Sequence, residues 1–193
     1  AVKSDFRANG FESYSDDADK FLNDRFILDI LENYEKRAPL IYRFVDGAKV
    51  CFKEGNKGSG GGWHRDRSWG RMTKSLMYLS KVDSNSGPFQ FIKKSHLKSN
   101  VIKQNLKYGF DFKQYRFRNC DIEKIINKNP KSLVTVLGDP GDLVLVDTHG
   151  LHRGMPINAN NTRYTLTNYY FNYNSNLHKF KMISKDAFKV AFE

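Results

Sequence analysis

The residues with the most chemical capacity lie in three short stretches. The first is Trp63-His64-Arg65-Asp66, entered through the glycine run Gly55-Asn56-Lys57-Gly58-Ser59-Gly60-Gly61-Gly62. The second is Asp147-Thr148-His149-Gly150-Leu151-His152-Arg153-Gly154, and the third is Arg163-Tyr164-Thr165. On a strand, residues i and i+2 point to one face. His64 and Asp66 can therefore offer an imidazole nitrogen and a carboxylate oxygen to one cation, with Arg65 turned away. His152 directly follows the apolar run Leu143-Val144-Leu145-Val146, so it sits at a strand end and can supply a third ligand. Two histidines and one carboxylate on one side of a metal leave positions open for substrate and oxygen, which is the ligand set of a mononuclear iron centre.

Arg163 lies eleven residues beyond His152 and opens the next strand. A guanidinium there can clamp a carboxylate through two parallel hydrogen bonds. Thr165 shares its face and can donate a third. That pair suits the distal carboxylate of a 2-oxo diacid whose keto-acid end chelates the metal. The glycine run is not a phosphate loop, which requires Gly-Lys-Ser/Thr leading into a helix. It reads as a flap beside the metal. Trp63 and Trp69 are candidates for the pocket wall or for packing. Arg153 is a partner for substrate or for Asp147, and Arg67 and Arg71 are candidate contacts for an anionic group.

The elements that must position these residues are mostly strands. Asp16-Asp17 reads as a helix start, and Ala18, Leu22, Phe26, Ile30 and Tyr34 then recur every four residues until Pro39. This predicts one amphipathic helix covering a sheet, after an irregular segment 1–15. Beyond Pro39 the period shortens. Ile41–Val45, Lys49–Phe52, Ser75–Leu79, Pro88–Ile92, Leu133–Leu137, Asp142–Val146 and Tyr164–Phe171 read as short strands, separated by turn signals such as Asp46-Gly47 and Gly138-Asp139-Pro140-Gly141. One helix followed by many short strands indicates a mainly β fold, a sandwich or jelly roll. Residues 97–132 form the longest irregular stretch, with Asp121–Ile126 as a short helix start. Lysines and arginines there interleave with Tyr108, Phe110, Phe112, Tyr115 and Phe117. A lid over an acidic small substrate is the favoured role, ahead of a grip on single-stranded nucleic acid.

Composition narrows the class. At 193 residues, 39% hydrophobic and 27% charged, the chain suits one soluble globular domain. No apolar run approaches the roughly 20 residues that cross a bilayer. Cys51 and Cys120 are too few for a disulfide framework and read as free thiols in a reducing cytoplasm. The net charge of +11 is uneven, with 8 basic and 10 acidic residues in 1–50. Residues 51–193 hold 24 basic and 11 acidic residues. The basic excess travels with the candidate site and favours an anionic small molecule or glycan as substrate.

Taken together, these motifs resemble the phytanoyl-CoA-dioxygenase-like family of Fe(II)- and 2-oxoglutarate-dependent dioxygenases. The resemblance spans about residues 40–175. It rests on Trp63-His64-Arg65-Asp66, Tyr78-Leu79-Ser80, Gly87-Pro88-Phe89 with Ser95-His96, and Gly141–Asp147. His152-Arg153-Gly154-Met155-Pro156 and Arg163-Tyr164-Thr165-Leu166 complete it. It implies a double-stranded β-helix, cupin-like in outline, with an N-terminal covering helix. It implies that His64, Asp66 and His152 hold iron and that Arg163 holds 2-oxoglutarate. The implied reaction consumes dioxygen and releases succinate and carbon dioxide as a substrate is hydroxylated. Related halogenases have a small residue where Asp66 stands, so Asp66 favours hydroxylation. The family pattern also favours His152 over its neighbour His149, leaving His149 as a surrounding histidine, His96 as structural and His178 as exposed. Lys93-Lys94 departs from the family's usual Pro-Gly before Ser-His. The expected organisation is one domain over 1–193, with a helical cover at 1–39, a core at 40–175 carrying the 97–132 insertion, and a tail at 176–193. Two other readings compete. One is a cupin-like metalloprotein of another reaction class, and the other is a non-catalytic basic module for anionic glycan or nucleic acid.

Overall fold

Short antiparallel strands dominate the computed structural model, which describes residues 4–36, 42–66 and 72–171. The first half of the chain runs β1 (Asp5–Asn9), α1 (Asp16–Leu22), α2 (Arg25–Glu35), β2 (Tyr42–Cys51), β3 (Met72–Tyr78) and β4 (Phe89–Ile92). The second runs α3 (Lys98–Tyr108), α4 (Asn119–Lys128), β5 (Leu133–Val136), β6 (Leu143–Asp147), β7 (His152–Gly154) and β8 (Thr162–Phe171). The strands form two sheets, ordered β1-β2-β8-β3-β6 and β5-β4-β7. This is the expected mainly β, jelly-roll fold.

β8 shows how alternation builds the site. Its even-numbered residues face the helices, where Leu166 and Tyr170 pack with Phe21, Leu28 and Leu31. Its odd-numbered residues Arg163, Thr165, Thr167 and Tyr169 line a cavity between the sheets. β3 runs beside it with Lys74 opposite Tyr169 and Leu76 opposite Thr167, so Lys74 and Leu76 point into the same cavity. A register slip of one residue would exchange these faces and bury the helix-facing set in the wrong layer.

The covering helix differs from its expected form. It is two helices, broken at Asn23-Asp24. Ser15 caps the first by accepting from Ala18 N–H, and Asp24 caps the second by accepting from Ile27 N–H. The break rotates the second helix, so Ile27, Leu28 and Leu31 are buried while Phe26 is 73% exposed and Ile30 and Tyr34 are also exposed. The every-fourth stripe therefore holds for Ala18 and Leu22 only. The second helix ends at Glu35, capped by Lys36 in the left-handed region, before Pro39, which lies outside the described residues.

Two other local expectations change. Residues 1–15 are not irregular throughout, because Asp5–Asn9 pairs with Val50–Asp46 as an edge strand. Asp46-Gly47 does not turn the chain. β2 continues through it in unbroken register with β8, since the buried Asp46 carboxylate pairs with Arg7 and Gly47 leaves room for the Phe11 ring.

The 97–132 stretch is more ordered than expected. It contains α3 and α4, and Phe110, Phe117, Ile122 and Ile125 pack with Trp63, Ile92 and Leu151 as a second core. No described helix is long and apolar enough to cross a membrane. Cys51 and Cys120 are free thiols, the second exposed.

Candidate active site

His64 and His152 face each other across a short ladder. Each backbone N–H donates to the other's carbonyl, at 3.0 and 2.9 Å. The rings are held 4.2 Å apart between centroids. Asp66 N–H donates to Thr148 O at 2.9 Å, which ties the second half of the His-x-Asp pair to the same segment. Asp66 Oδ1 lies 3.7 Å from His64 Nε2, and Oδ2 lies 3.7 Å from His152 Nε2. One ligand atom from each of the three residues falls within 4.8 Å of the others.

The protonation pattern suits a metal. His64 Nδ1 lies 2.8 Å from Gly62 O and His152 Nδ1 lies 2.9 Å from Gly150 O. A carbonyl only accepts, so each Nδ1 carries the proton and each Nε2 keeps its lone pair toward the site. Burial lowers both imidazole pKa values, that of His152 to about 3. Burial opposes ionisation of Asp66, but the Lys74 ammonium outweighs it and holds the carboxyl well below its ordinary range. Asp66 Oδ2 is buried with the Lys74 ammonium beside it. Two neutral nitrogens and one carboxylate fit a divalent first-row cation.

Lys74 is the unexpected member. Its Nζ lies 2.6 Å from Asp66 Oδ2 and 4.2 Å from the centre of the Tyr169 ring. Burial works against this ammonium, while Tyr169 and Asp66 outweigh the cost and raise its pKa. Sequence reading began the strand at Ser75 and missed Lys74. Its position two and four residues before Leu76 and Tyr78 was the available signal, since the three share a face.

Arg163 and Thr165 line the same cavity, each 4% exposed. Among the described residues Arg163 Nε has no hydrogen-bond acceptor. Burial lowers the guanidinium pKa to about 10, so it remains a cation at neutral pH. Asp5, the acid acting on it, is held by Arg7 at 2.6 Å. Arg7 also lines the cavity and donates to Ser59 Oγ at 2.6 Å. It too escaped sequence reading, although Asp5-Phe6-Arg7-Ala8-Asn9 alternates polar and apolar residues as a strand does.

The glycine run is a packed wall rather than a flap. Gly60 has φ +79°, and a Cβ there would lie 2.3 Å from His64 Cε1. Behind it, Arg116 Nη1 donates to Gly60 O at 2.6 Å. Arg65 faces away as expected, with Nη2 donating to Gln104 Oε1 at 2.8 Å and the guanidinium 5.2 Å over Phe117. Its N–H donates to Tyr115 O, and Phe117 N–H donates to Trp63 O. Residues 115–117 thus pair with the metal-ligand segment through an isolated antiparallel bridge between Arg116 and His64. Neither segment is a strand, unlike the strand expected for His64 and Asp66. No residue of 97–132 lines the described cavity.

The remaining candidates separate cleanly. Trp63 is buried in the second core beneath Arg153, which donates to Gln90 and Asn119 and does not reach Asp147. His149 Nδ1 lies 3.1 Å from Asp147 Oδ1, outside the ligand cluster. His96 packs near Phe91 and lines an apolar groove of about 370 Å³ beside α2, which contains none of His64, Asp66, His152 or Arg163. Ser95, unremarked in the sequence, accepts from Leu151 N–H at 2.7 Å and fixes the approach to His152. Arg67, Trp69, Arg71 and His178 lie outside the described residues.

Comparison with known proteins bears on the family and the fold. No curated protein sequence matches the chain. Among solved structures, the epimerase SnoN from nogalamycin biosynthesis, in complex with Fe3+, α-ketoglutarate and nogalamycin RO, is 14% identical with a TM-score of 0.60. That alignment covers 87% of this chain and 63% of SnoN. HygX from Streptomyces hygroscopicus, with nickel and 2-oxoglutarate bound, is 14% identical with a TM-score of 0.55 over 90% of this chain and 72% of HygX. The carbocyclase SnoK from nogalamycin biosynthesis is 13% identical with a TM-score of 0.58, over 87% of this chain and 64% of SnoK. At these identities the likeness establishes the fold. The chain spans less than two thirds of the length of SnoN and SnoK. The family profile of phytanoyl-CoA dioxygenase (PhyH) matches residues 6–164. The chain therefore belongs to the phytanoyl-CoA dioxygenase family and has the jelly-roll fold of iron- and 2-oxoglutarate-dependent enzymes.

Proposed function

We propose that this chain is an Fe(II)- and 2-oxoglutarate-dependent oxygenase that hydroxylates a small anionic molecule or glycan. His64, Asp66 and His152 would hold iron, and Arg163 with Thr165 would hold the distal carboxylate of 2-oxoglutarate. The observation that carries this reading is a buried cation with no acid of its own among the described residues, Arg163, in the same cavity as two neutral histidines. A cupin-like metalloprotein of another class gives Arg163 no such task. Bound together, iron and 2-oxoglutarate supply oxidation by dioxygen, with succinate and carbon dioxide as co-products.

The chain's own groups do the positioning. The Gly62 and Gly150 carbonyls fix both imidazole tautomers. Arg163 selects a diacid over a monoacid, because its buried guanidinium requires a carboxylate. Phe89, whose ring lies 5.7 Å from that of His152, presents an apolar wall that limits water at that histidine. The same proposal takes 1–193 as one domain, with 1–39 as cover, 40–175 as core, 97–132 as an insertion bracing the segment that carries His64 and Asp66, and 176–193 as a tail. Its two free thiols suit the cytoplasm. The neighbouring epimerase and carbocyclase show that the fold hosts other outcomes, and Asp66 supports hydroxylation here.

Succinate release from 2-oxoglutarate tests this. Arg163→Met should weaken 2-oxoglutarate binding by at least about thirtyfold, as expected for a buried charge pair losing one member. Equal succinate release by the variant at limiting 2-oxoglutarate would contradict the assignment. With a substrate in hand, its KM should rise with salt if the substrate is anionic. A salt-independent KM would remove the anionic class.

A further inference from the structure

Lys74 sits where the metal's charge would act. It lies in the interior of β3, opposite Val146 on one side and Tyr169 on the other. Its side chain is only 11% exposed. A buried ammonium requires an anion nearby, and here that anion is Asp66. Asp46, the other acid acting on this region, is bound by Arg7. Tyr169 offers the face of its ring, the histidines are neutral, and Arg7 repels. A cation that claims Asp66 therefore leaves Lys74 without an anion.

We infer that Lys74 opposes metal binding on its own and favours metal and a 2-oxo acid binding together. This rests on the iron reading above. In the metal-free chain the ammonium holds Asp66. When a metal takes that carboxylate, the ammonium turns to the anionic carboxylate of the 2-oxo acid. Arg163 lies six residues from Tyr169 along the inner face of β8. The cavity thus presents one cation toward each end of a diacid. Such an exchange is a positive coupling between two ligands, and it must be reciprocal. It keeps a redox-active metal loosely held until its co-substrate arrives.

The test uses Mn(II), a redox-inert cation, titrated into the metal-free full chain with and without 2-oxoglutarate. Binding is read by calorimetry and by the loss of the free-ion resonance signal. Lys74→Met keeps the stem and removes the charge, so it should bind Mn(II) alone at least about tenfold more tightly than the wild type. The factor by which 2-oxoglutarate tightens Mn(II) binding should be at least about tenfold smaller in that variant. Lys74→Gln should behave like Lys74→Met, and Lys74→Arg like the wild type. If Lys74→Met matches the wild type in both titrations while His152→Ala loses Mn(II), the inference is overturned and the metal site stands. Absence of Mn(II) binding in every protein, with or without 2-oxoglutarate, overturns both.

Discussion

Two backbone carbonyls decide the chemistry of the site at the scale of single residues. Gly62 O and Gly150 O each hold an imidazole Nδ1–H, which aims two Nε2 lone pairs at Asp66. The cost of this arrangement is sensitivity to acid. His152 has a folded pKa of about 3 against an ordinary 6.5. Between those values the unfolded chain binds a proton that the folded chain refuses. This contribution to stability is therefore complete above about pH 6.5 and is lost as pH falls toward 3. In chelator-treated protein, lowering pH from about 7.5 to 5.5 should lower the urea midpoint by the equivalent of about 1.4 kcal/mol per proton refused. His152→Asn should lose that part of the slope, and an identical slope in the variant would contradict the burial argument. His64 with Asp66 and Arg163 with Thr165 were legible because their i, i+2 spacing encodes a shared face, and His152 because it follows an apolar strand and matches the family pattern. Lys74 and Arg7 were not. A lysine at a strand start and an arginine in a short N-terminal segment look like surface charge until pairing places them inside.

Whole elements carry the next layer of control. The segment carrying His64 and Asp66 is not itself a strand, and residues 115–117 brace it, Phe117 N–H donating to Trp63 O and Arg65 N–H to Tyr115 O. That brace is anchored by α4, whose Ile122 is fully buried against the second core. Ile122→Ala should cost about 2–5 kcal/mol of stability and also weaken metal binding, although Ile122 touches no ligand. Ile122→Val should cost about 0.5–1.5 kcal/mol and bind metal normally. Metal affinity unchanged in a folded Ile122→Ala protein would separate the insertion from the site. Strand alternation made the sheets readable from sequence. α3 was not readable, because the only residue it fully buries is Asn105, so no apolar period marks it. The break between α1 and α2 was hidden for the opposite reason. The apolar stripe runs straight through Asn23-Asp24, whereas the capping carboxylate of Asp24 starts a new helix there.

The whole molecule is a jelly roll whose cavity gathers cations. Arg7, Lys74 and Arg163 all line it. The chain's net charge of +11 reinforces that field and would draw an anionic co-substrate toward the site. Folds of this kind serve the epimerase SnoN and the carbocyclase SnoK as well, so the architecture alone does not set the product. The central claim is that His64, Asp66 and His152 hold Fe(II) beside 2-oxoglutarate. Anaerobic titration of the metal-free chain with both, followed by visible absorption, tests it most directly. The account predicts a charge-transfer band that requires both additions, disappears in His152→Ala and survives His149→Ala. A wild-type chain that shows no band with both present, or a band that survives His152→Ala, would contradict it.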